Sequence, residues 1–264
     1  MGRSRLVARL HGGYAVVVFL FLIVPLALAV PLSLTATDVM VFPPRDVTLR
    51  WYEQFLTDPD WTAPALVSLL LAATSASLAT VLGGVAAWPL VRRQFRGRDT
   101  IALVLGAPLV VPAISVAVGA YLVWANLRML GSPITLVATH VVLTSPLVLL
   151  VVGSAMLEFD ETHIKAARTL GAGNLTVARR VVVPQILPSL IAAWLFAFIG
   201  SFDEVVISSF LLTAGQVQTL SVYIFSQVHS SHSPVIAASS VVLAGVALLA
   251  AVTLTRLEAR RRLL

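Results

Sequence analysis

The chain has 264 residues, of which 58% are hydrophobic and 11% are charged, and its mean hydropathy is +0.95. An ordinary soluble domain carries about 25% charged residues, so this composition excludes a water-soluble globule. A helical bilayer span takes about 20 apolar residues, which leaves room for about six or seven spans and no separate soluble enzyme domain. Cysteine is absent, which excludes disulfides, thiolate metal sites and cysteine nucleophiles.

Six long apolar stretches predict six transmembrane helices. They cover residues 14–35, 65–91, 101–125, 133–156, 186–213 and 235–255. Continuous runs favour helices over barrel strands, which need alternating segments of about ten residues. The sequence therefore predicts an all-α integral membrane protein in which residues 1–264 form a single transmembrane domain.

The positive charges predict the orientation of these helices. Fifteen of the 18 Lys and Arg residues lie in the two tails and in the second and fourth connecting segments, and three lie in the alternate segments. Basic segments stay in the cytoplasm, so both termini are expected there. The first stretch is expected to be a span and not a signal peptide, since it exceeds the usual apolar core of about 7–15 residues. The excess of basic over acidic residues is thus explained by the orientation of the spans and does not indicate a nucleic-acid partner.

The first outer segment, residues 36–64, is rich in aromatic residues, among them Trp51, Tyr52 and Trp61. Such residues are typical of the belt at a membrane interface. A docking surface for an external protein is the alternative interpretation.

The cytoplasmic segment 157–185 is predicted to hold two short helices separated by a turn. Asp160 is a candidate N-cap and Gly171 a candidate C-terminal stop for the first helix. Asn174 is expected to cap the second helix, which would run through Arg180 and end at Pro184. Small residues in the first helix would let another protein approach its backbone closely, and its apolar residues would serve as anchors.

At this point the chain resembles the permeases of ABC importers. Their cytoplasmic loop has Glu-Ala-Ala, three residues, Gly, nine residues and then Ile-x-Leu-Pro, and this chain places Lys165-Ala166-Ala167, Gly171 and Val181-x-Val183-Pro184 at the same offsets. Lys165 stands where the family has Glu. The resemblance implies a type I importer permease fold with six spans, in which this loop is a coupling helix that docks on an ATPase subunit. The coupling residues it implies are Ile164, Lys165, Ala166, Ala167, Leu170, Gly171 and Pro184.

Three further segments narrow the resemblance to the second permease of spermidine/putrescine importers. They are Thr139–Pro146, Ser201–Phe210 and Leu220–Val228. Two acids usual in that subfamily are replaced, by Ala113 and Val235. The resemblance implies polyamine transport, with a phosphonate, ferric iron or an oxyanion as the alternative solute.

The family resemblance also implies the partners and the location. They are a homologous second permease, two ATP-binding subunits that carry ATP and Mg²⁺, an extracytoplasmic solute-binding protein, and the lipid bilayer of a prokaryotic plasma (inner) membrane. This chain is then a non-catalytic subunit that binds no cofactor of its own.

Asp203 and Glu204 interrupt the fifth apolar stretch. A charge at the centre of a span costs about 2.5–3.5 kcal/mol on insertion scales, so such residues face a polar path or a polar partner. If the helix is continuous, Glu204 lies on one stripe with Ser201 and Ser208. These four residues are candidates for a solute pathway; a structural contact, or a position near the outer interface, is the alternative.

Other chemistry is not indicated. The sequence has no GxxxxGK[ST] motif, so ATP binding by this chain is not expected. His229 and His232 lack a nearby carboxylate ligand, and no metal site is predicted. His140 is expected to be a hydrogen-bonded packing residue. A gradient-driven secondary transporter is the competing class, but it would need titratable groups on several spans.

Overall fold

The computed structural model describes residues 2–213, 216–231 and 233–261, without the side chains of residues 2–12, 26 and 250–261. This part of the chain is helical and holds no strand, apart from one isolated bridge between Thr35 and Val47. The helices are α1 (Gly2–Ser33), α2 (Arg50–Thr57), α3 (Pro59–Arg92), α4 (Arg98–Gly106), α5 (Ala113–Asn126), α6 (Pro133–Glu158), α7 (Thr162–Thr169), α8 (Asn174–Val177), α9 (Val183–Phe202), α10 (Val206–Leu211), α11 (Leu220–Ser230) and α12 (Val235–Arg261). The predicted all-α fold is confirmed.

Within the described residues, four helical segments are long and apolar enough to cross a membrane. They are Gly13–Ser33 of α1, the whole of α3, the whole of α6, and Asn174–Phe202, in which α8 runs into α9. The apolar part of α12, Val235–Leu249, is shorter, and the remainder of the predicted sixth span lies where side chains are not described. The count of six spans stays a prediction.

The third predicted span is bent. α4 continues as a 3₁₀ turn over Ala107–Leu109, and this segment meets α5 at 104°. Pro108 lies in that turn, and Pro112 precedes α5 with φ −54° and ψ 135°. Proline has no N–H to donate and disfavours the helical conformation of the residue before it. The two prolines therefore explain why the stretch 101–125 forms two helices at a sharp angle.

The helices group into two compact units, Met1–Thr62 with Ile224–Leu264, and Ala63–Tyr223. In the first unit, α12 packs against α1 and α2. The Trp51 indole N–H donates to the Thr35 carbonyl oxygen at 2.7 Å, and Phe55 and Trp61 stack edge to face with ring centroids 5.9 Å apart. Trp51, Phe55 and Trp61 are all buried. These aromatic side chains of the outer segment therefore form a small core.

The second unit is a bundle in which α6 packs along α9 and α5 packs on α10. Its main core joins alanines of α3 and α9 to larger side chains of α6, such as Val148, Val152 and Met156. Helices in a bilayer gain little from the hydrophobic effect and associate through close packing of small residues. The alanines are what allows α3 and α9 to approach α6.

Gly83 lies at a close approach between α3 and α6. A Cβ atom placed on Gly83 would lie 2.7 Å from the Val148 Cγ1 atom and 3.1 Å from its Cβ. Val148 is β-branched and fully buried, so it has little freedom to move aside. Position 83 therefore has no room for a side chain.

We expect Gly83→Ala to lower the thermal unfolding midpoint of the purified protein, because overpacking of a tight core costs typically about 1–3 kcal/mol. Gly119→Ala is the matched control, since a Cβ there meets nothing within 4 Å. Adding Val148→Ala to Gly83→Ala should recover part of the loss. Equal midpoints for Gly83→Ala and Gly119→Ala would contradict this view of the packing.

Candidate functional site

The cytoplasmic segment after α6 is attached to the end of α3. Phe159 follows α6, is 8% exposed, and packs edge to face on Trp88 with centroids 6.4 Å apart. The Arg92 guanidinium donates to the Phe159 carbonyl oxygen and forms an ion pair with Glu161 at 3.3 Å. The start of α7 is thereby fixed relative to α3.

The carboxylate of Asp160 accepts a hydrogen bond from the first turn of α7, but the N-cap residue is Glu161 and not Asp160 as predicted. The Asp160 Oδ1 atom accepts the Thr162 backbone N–H at 2.9 Å, and α7 begins at Thr162 with Glu161 in the N-cap position. This hydrogen bond, followed by one from the Thr162 side chain, lowers the pKa of Asp160. The interaction is therefore present at neutral pH and is lost only as the pH falls through that lowered pKa.

α7 has two distinct faces. Ile164 is 6% exposed and belongs to the main core, and Ala167 packs partly against it. Lys165 and Ala166 are exposed, and Leu170, just past the helix end, is 88% exposed. α7 is therefore fixed to the bundle through Ile164, while its other face and the turn at Leu170 are open to solvent.

Gly171 ends α7, as predicted. It adopts φ +84°, its N–H donates to the Arg168 carbonyl at 2.9 Å, and the Ala172 N–H donates to the Ala167 carbonyl at 3.0 Å. This is a Schellman motif, which needs a left-handed residue at this point. A Cβ on Gly171 would meet nothing within 4 Å, so the requirement for glycine is conformational.

The expectation that Pro184 ends the second helix is wrong. α8 starts at Asn174, a π-helical turn spans Ala178–Val182, and α9 continues through Pro184. The hydrogen-bond pattern changes from π to α at this point, so Pro184 sits in the first turn of α9, where a missing N–H is tolerated. The cytoplasmic segment therefore runs into the membrane as one helix, Asn174–Phe202.

The fifth span is broken at the two acids. α9 ends at Phe202, residues 203–205 are not helical, and α10 begins at Val206. Glu204 and Ser208 therefore do not continue the helical stripe of Ser201 that a straight helix would give.

The Glu204 side chain caps the N-terminus of α10. One carboxylate oxygen accepts the Ile207 N–H at 2.6 Å, and the other accepts the Ser208 N–H at 2.8 Å and the Ser208 hydroxyl at 3.0 Å. The side chain is 6% exposed. The first N–H groups of a helix have no partner inside the helix, and a carboxylate is their strongest acceptor.

His140 links α6 to this break. It is completely buried, as expected of a packing residue, with Nδ1 2.7 Å from the Ser201 hydroxyl and Nε2 3.2 Å from the Ser208 hydroxyl. Its Nε2 also lies 3.7 Å from a Glu204 oxygen. Ser201 and Ser208, predicted on a solute pathway, are thus buried against His140.

Asp203 has a different environment from Glu204. It is exposed, and its carboxylate accepts no hydrogen bond from the described residues. Of the two adjacent acids, Asp203 is therefore the exposed one and Glu204 the one engaged within the chain.

No metal site is evident in the described part of the chain, where His, Asp and Glu side chains form no group of three able to hold an ion. The imidazole of His229 is 2.8 Å from the Phe225 carbonyl oxygen. His232 lies outside the described residues.

Two features of the site escaped the sequence analysis. In the sequence, Phe159 and Trp88 are two of many apolar residues, and Arg92 indicates only the orientation of the spans. In the structure these three residues fix the start of α7 to the end of α3. The helix break at Asp203 was missed because the stretch contains no proline or glycine there; the adjacent acids were the available signal.

Comparison with known proteins supports the assignment of the fold. A family model described as "Binding-protein-dependent transport system inner membrane component" matches residues 79–262. The chain is 29% identical to the spermidine/putrescine transport system permease protein PotC of Haemophilus influenzae, over 96% of this chain and 97% of that protein. It is 33% identical to the putrescine transport system permease protein PotI of Escherichia coli K12, over 86% and 83%.

Two solved structures share the fold. A bacterial ABC transporter involved in the import of the acidic polysaccharide alginate aligns with TM-score 0.70 and 14% identity over 98% of both chains. The MetNI methionine ABC transporter aligns with TM-score 0.59 and 18% identity, over 78% of this chain and 95% of that chain.

We expect Glu204→Gln to destabilise the protein by roughly 1–3 kcal/mol, because the amide keeps one acceptor oxygen and turns an NH₂ group toward buried N–H donors. The thermal unfolding midpoint of the purified protein measures this. Asp203→Asn makes the same chemical change at the exposed neighbour and should leave the midpoint nearly unchanged. If both substitutions shift the midpoint equally, Glu204 is not the cap of α10.

Proposed function

The chain belongs to the family of binding-protein-dependent transport system inner membrane components, and from that premise we propose that it forms half of the solute pathway of an ATP-driven polyamine importer. The family consists of transport permeases of the inner membrane, so the chain is a multi-pass membrane subunit. The observation that carries the proposal is the anchored helix α7 with its exposed leucine, joined by one continuous helix to an exposed aspartate.

In this proposal, ATP is bound and hydrolysed by two separate subunits, and this chain performs no chemistry. α7 docks on one of them through Leu170 and the backbone around Gly171. When the ATPase subunits close, α7 moves with them, and the rigid segment Asn174–Phe202 carries the displacement to Asp203. A homologous second permease supplies the other half of the pathway, and an external binding protein delivers the solute.

The orientation proposed from the charge pattern fits this arrangement. With both termini in the cytoplasm, α7 lies on the side of the membrane where the ATPase subunits bind. Arg92 and Arg93 at the end of α3 then lie at the cytoplasmic surface as well.

The proposed solute is a polyamine, the class named for the relatives PotC and PotI. A carboxylate attracts an ammonium group, and a single exposed carboxylate binds it weakly enough to let it pass. An anionic phosphonate or oxyanion would be repelled by Asp203. A gradient-driven mechanism is disfavoured, because the buried titratable pair His140 and Glu204 is engaged in hydrogen bonds within the chain.

We expect Asp203→Asn to lower uptake of labelled spermidine and putrescine about tenfold in cells that lack the native chain and carry the variant with its operon partners. A lost ion pair worth about 1.4 kcal/mol corresponds to this factor. Asp99→Asn, at an exposed acid in the first turn of α4, is the control and should transport normally. Full uptake with Asp203→Asn would remove this residue from the pathway.

We expect Leu170→Asp to abolish ATP-dependent uptake and to weaken copurification of the ATPase subunits, because a charge would enter an apolar contact. Leu127→Asp changes an exposed leucine next to Arg128 in another connecting segment and should leave copurification intact. Normal coupling in the Leu170→Asp variant would contradict the docking role of α7.

A further inference from the structure

A cavity of about 540 Å³ lies beside α7, and its lining includes Ile164 and Arg168 but not Leu170. Residues of α3, α6, α7, α8 and α9 line it. Ile164, on the buried face of α7, forms part of its wall. The cavity therefore adjoins the buried face of α7, the proposed docking helix.

One end of the cavity is apolar and belongs to membrane-spanning helices. Val81 and Val85 on α3 line it and are 63% and 72% exposed, and Leu190 on α9 lies across from them. Apolar side chains exposed on a spanning helix face either acyl chains or another helix. Trp88, one turn further along α3, also lines the cavity, and tryptophan is typical of the interface level.

The other end of the cavity is cationic. Arg93 and Arg168 are the charged residues of its lining, which contains no acidic residue. Arg168 donates to the Asn174 side-chain oxygen at 3.3 Å. No carboxylate of the described residues lies within 4.0 Å of either guanidinium, whereas the adjacent Arg92 pairs with Glu161. Two arginines thus line the cavity without a carboxylate partner among the described residues.

We infer that this cavity binds an anionic phospholipid of the cytoplasmic leaflet, with its phosphate at Arg93 and Arg168 and an acyl chain along Val81 and Val85. The inference rests on the proposed orientation. Basic pockets between spanning helices on the cytoplasmic side bind acidic lipid headgroups. A guanidinium group can donate two parallel N–H hydrogen bonds to the oxygens of one phosphate.

The charges favour a lipid over a helix of the second permease as the occupant. An apolar helix packed here would bury two unpaired cations, which is costly. A phospholipid would place its acyl chain at the apolar end of the cavity and its phosphate at the cationic end. A lipid in the cavity would also contact α7, because Ile164 and Arg168 belong to that helix.

Photolabelling tests this site. The full chain, assembled with its partner subunits in lipid nanodiscs, is exposed to photoactivatable phosphatidylglycerol or phosphatidylcholine, and the labelled peptides are identified by mass spectrometry. We expect phosphatidylglycerol to label the segment around residues 81–93, and the double variant Arg93→Gln with Arg168→Gln to lose this labelling about tenfold.

The matched control is Arg179→Gln with Arg180→Gln. It removes the same charge from the cytoplasmic segment that holds Arg168, at exposed residues that do not line the cavity, and labelling should be retained. Gly84→Leu fills the cavity while both guanidinium groups remain, since a Cβ there has ordinary contact with Leu190 at 3.5 Å. This variant should also lose labelling.

Several results would overturn the inference. They are equal labelling by phosphatidylcholine, equal loss in the control variant, retained labelling in Gly84→Leu, and competition by excess inorganic phosphate, which would indicate a free-anion site. Labelling of the chain alone that disappears in the assembled complex would assign the cavity to the second permease. The assay needs neither solute nor ATP, so its failure is distinguishable from failure of the polyamine proposal.

Discussion

The hydrogen bonds of Glu204 to the first turn of α10 are the interaction on which the broken fifth span depends. A bilayer supplies no water to satisfy free backbone groups, so a helix broken at membrane depth needs partners from the protein. Glu204 provides them for Ile207 and Ser208, and His140 ties the break to α6 through two serine hydroxyls. With its neighbour occupied in this way, Asp203 is the exposed acid at the break, and the proposed contact with the solute is assigned to it.

A single helix connects this break to the cytoplasmic segment. Asn174–Phe202 has 29 residues, and at 1.5 Å per residue it is about 43 Å long. One end lies next to the Schellman turn at Gly171, and the other is Phe202, directly before Asp203. Because helices are stiff along their axes, displacement of α7 would reach the break with little loss. The π-helical turn over Ala178–Val182 is the point in this helix where the backbone is least regular.

The features that could be predicted from the sequence are those that depend on residue composition and on interactions between residues close in the chain. The all-helical fold, the hydrogen bond of Asp160 to the first turn of α7 and the Gly171 turn follow from composition, capping preference and the φ requirement of one residue. The 104° bend and the break at Asp203 have local signals, two prolines and two adjacent acids, but they lie inside apolar stretches that the hydropathy pattern alone presents as continuous spans. The continuation through Pro184 could not be predicted, because it depends on a shift in hydrogen-bond register. The same holds for Trp51 and Trp61, whose burial depends on packing inside the first unit.

Transport by a reconstituted complex tests the central claim most directly. The chain, its second permease, the ATPase subunits and the binding protein are placed in proteoliposomes, and labelled spermidine is offered from the side of the binding protein. The account predicts accumulation that requires ATP on the opposite side and the presence of this chain. A complex that assembles and hydrolyses ATP in response to an anionic solute, but neither responds to nor transports spermidine or putrescine, would contradict it.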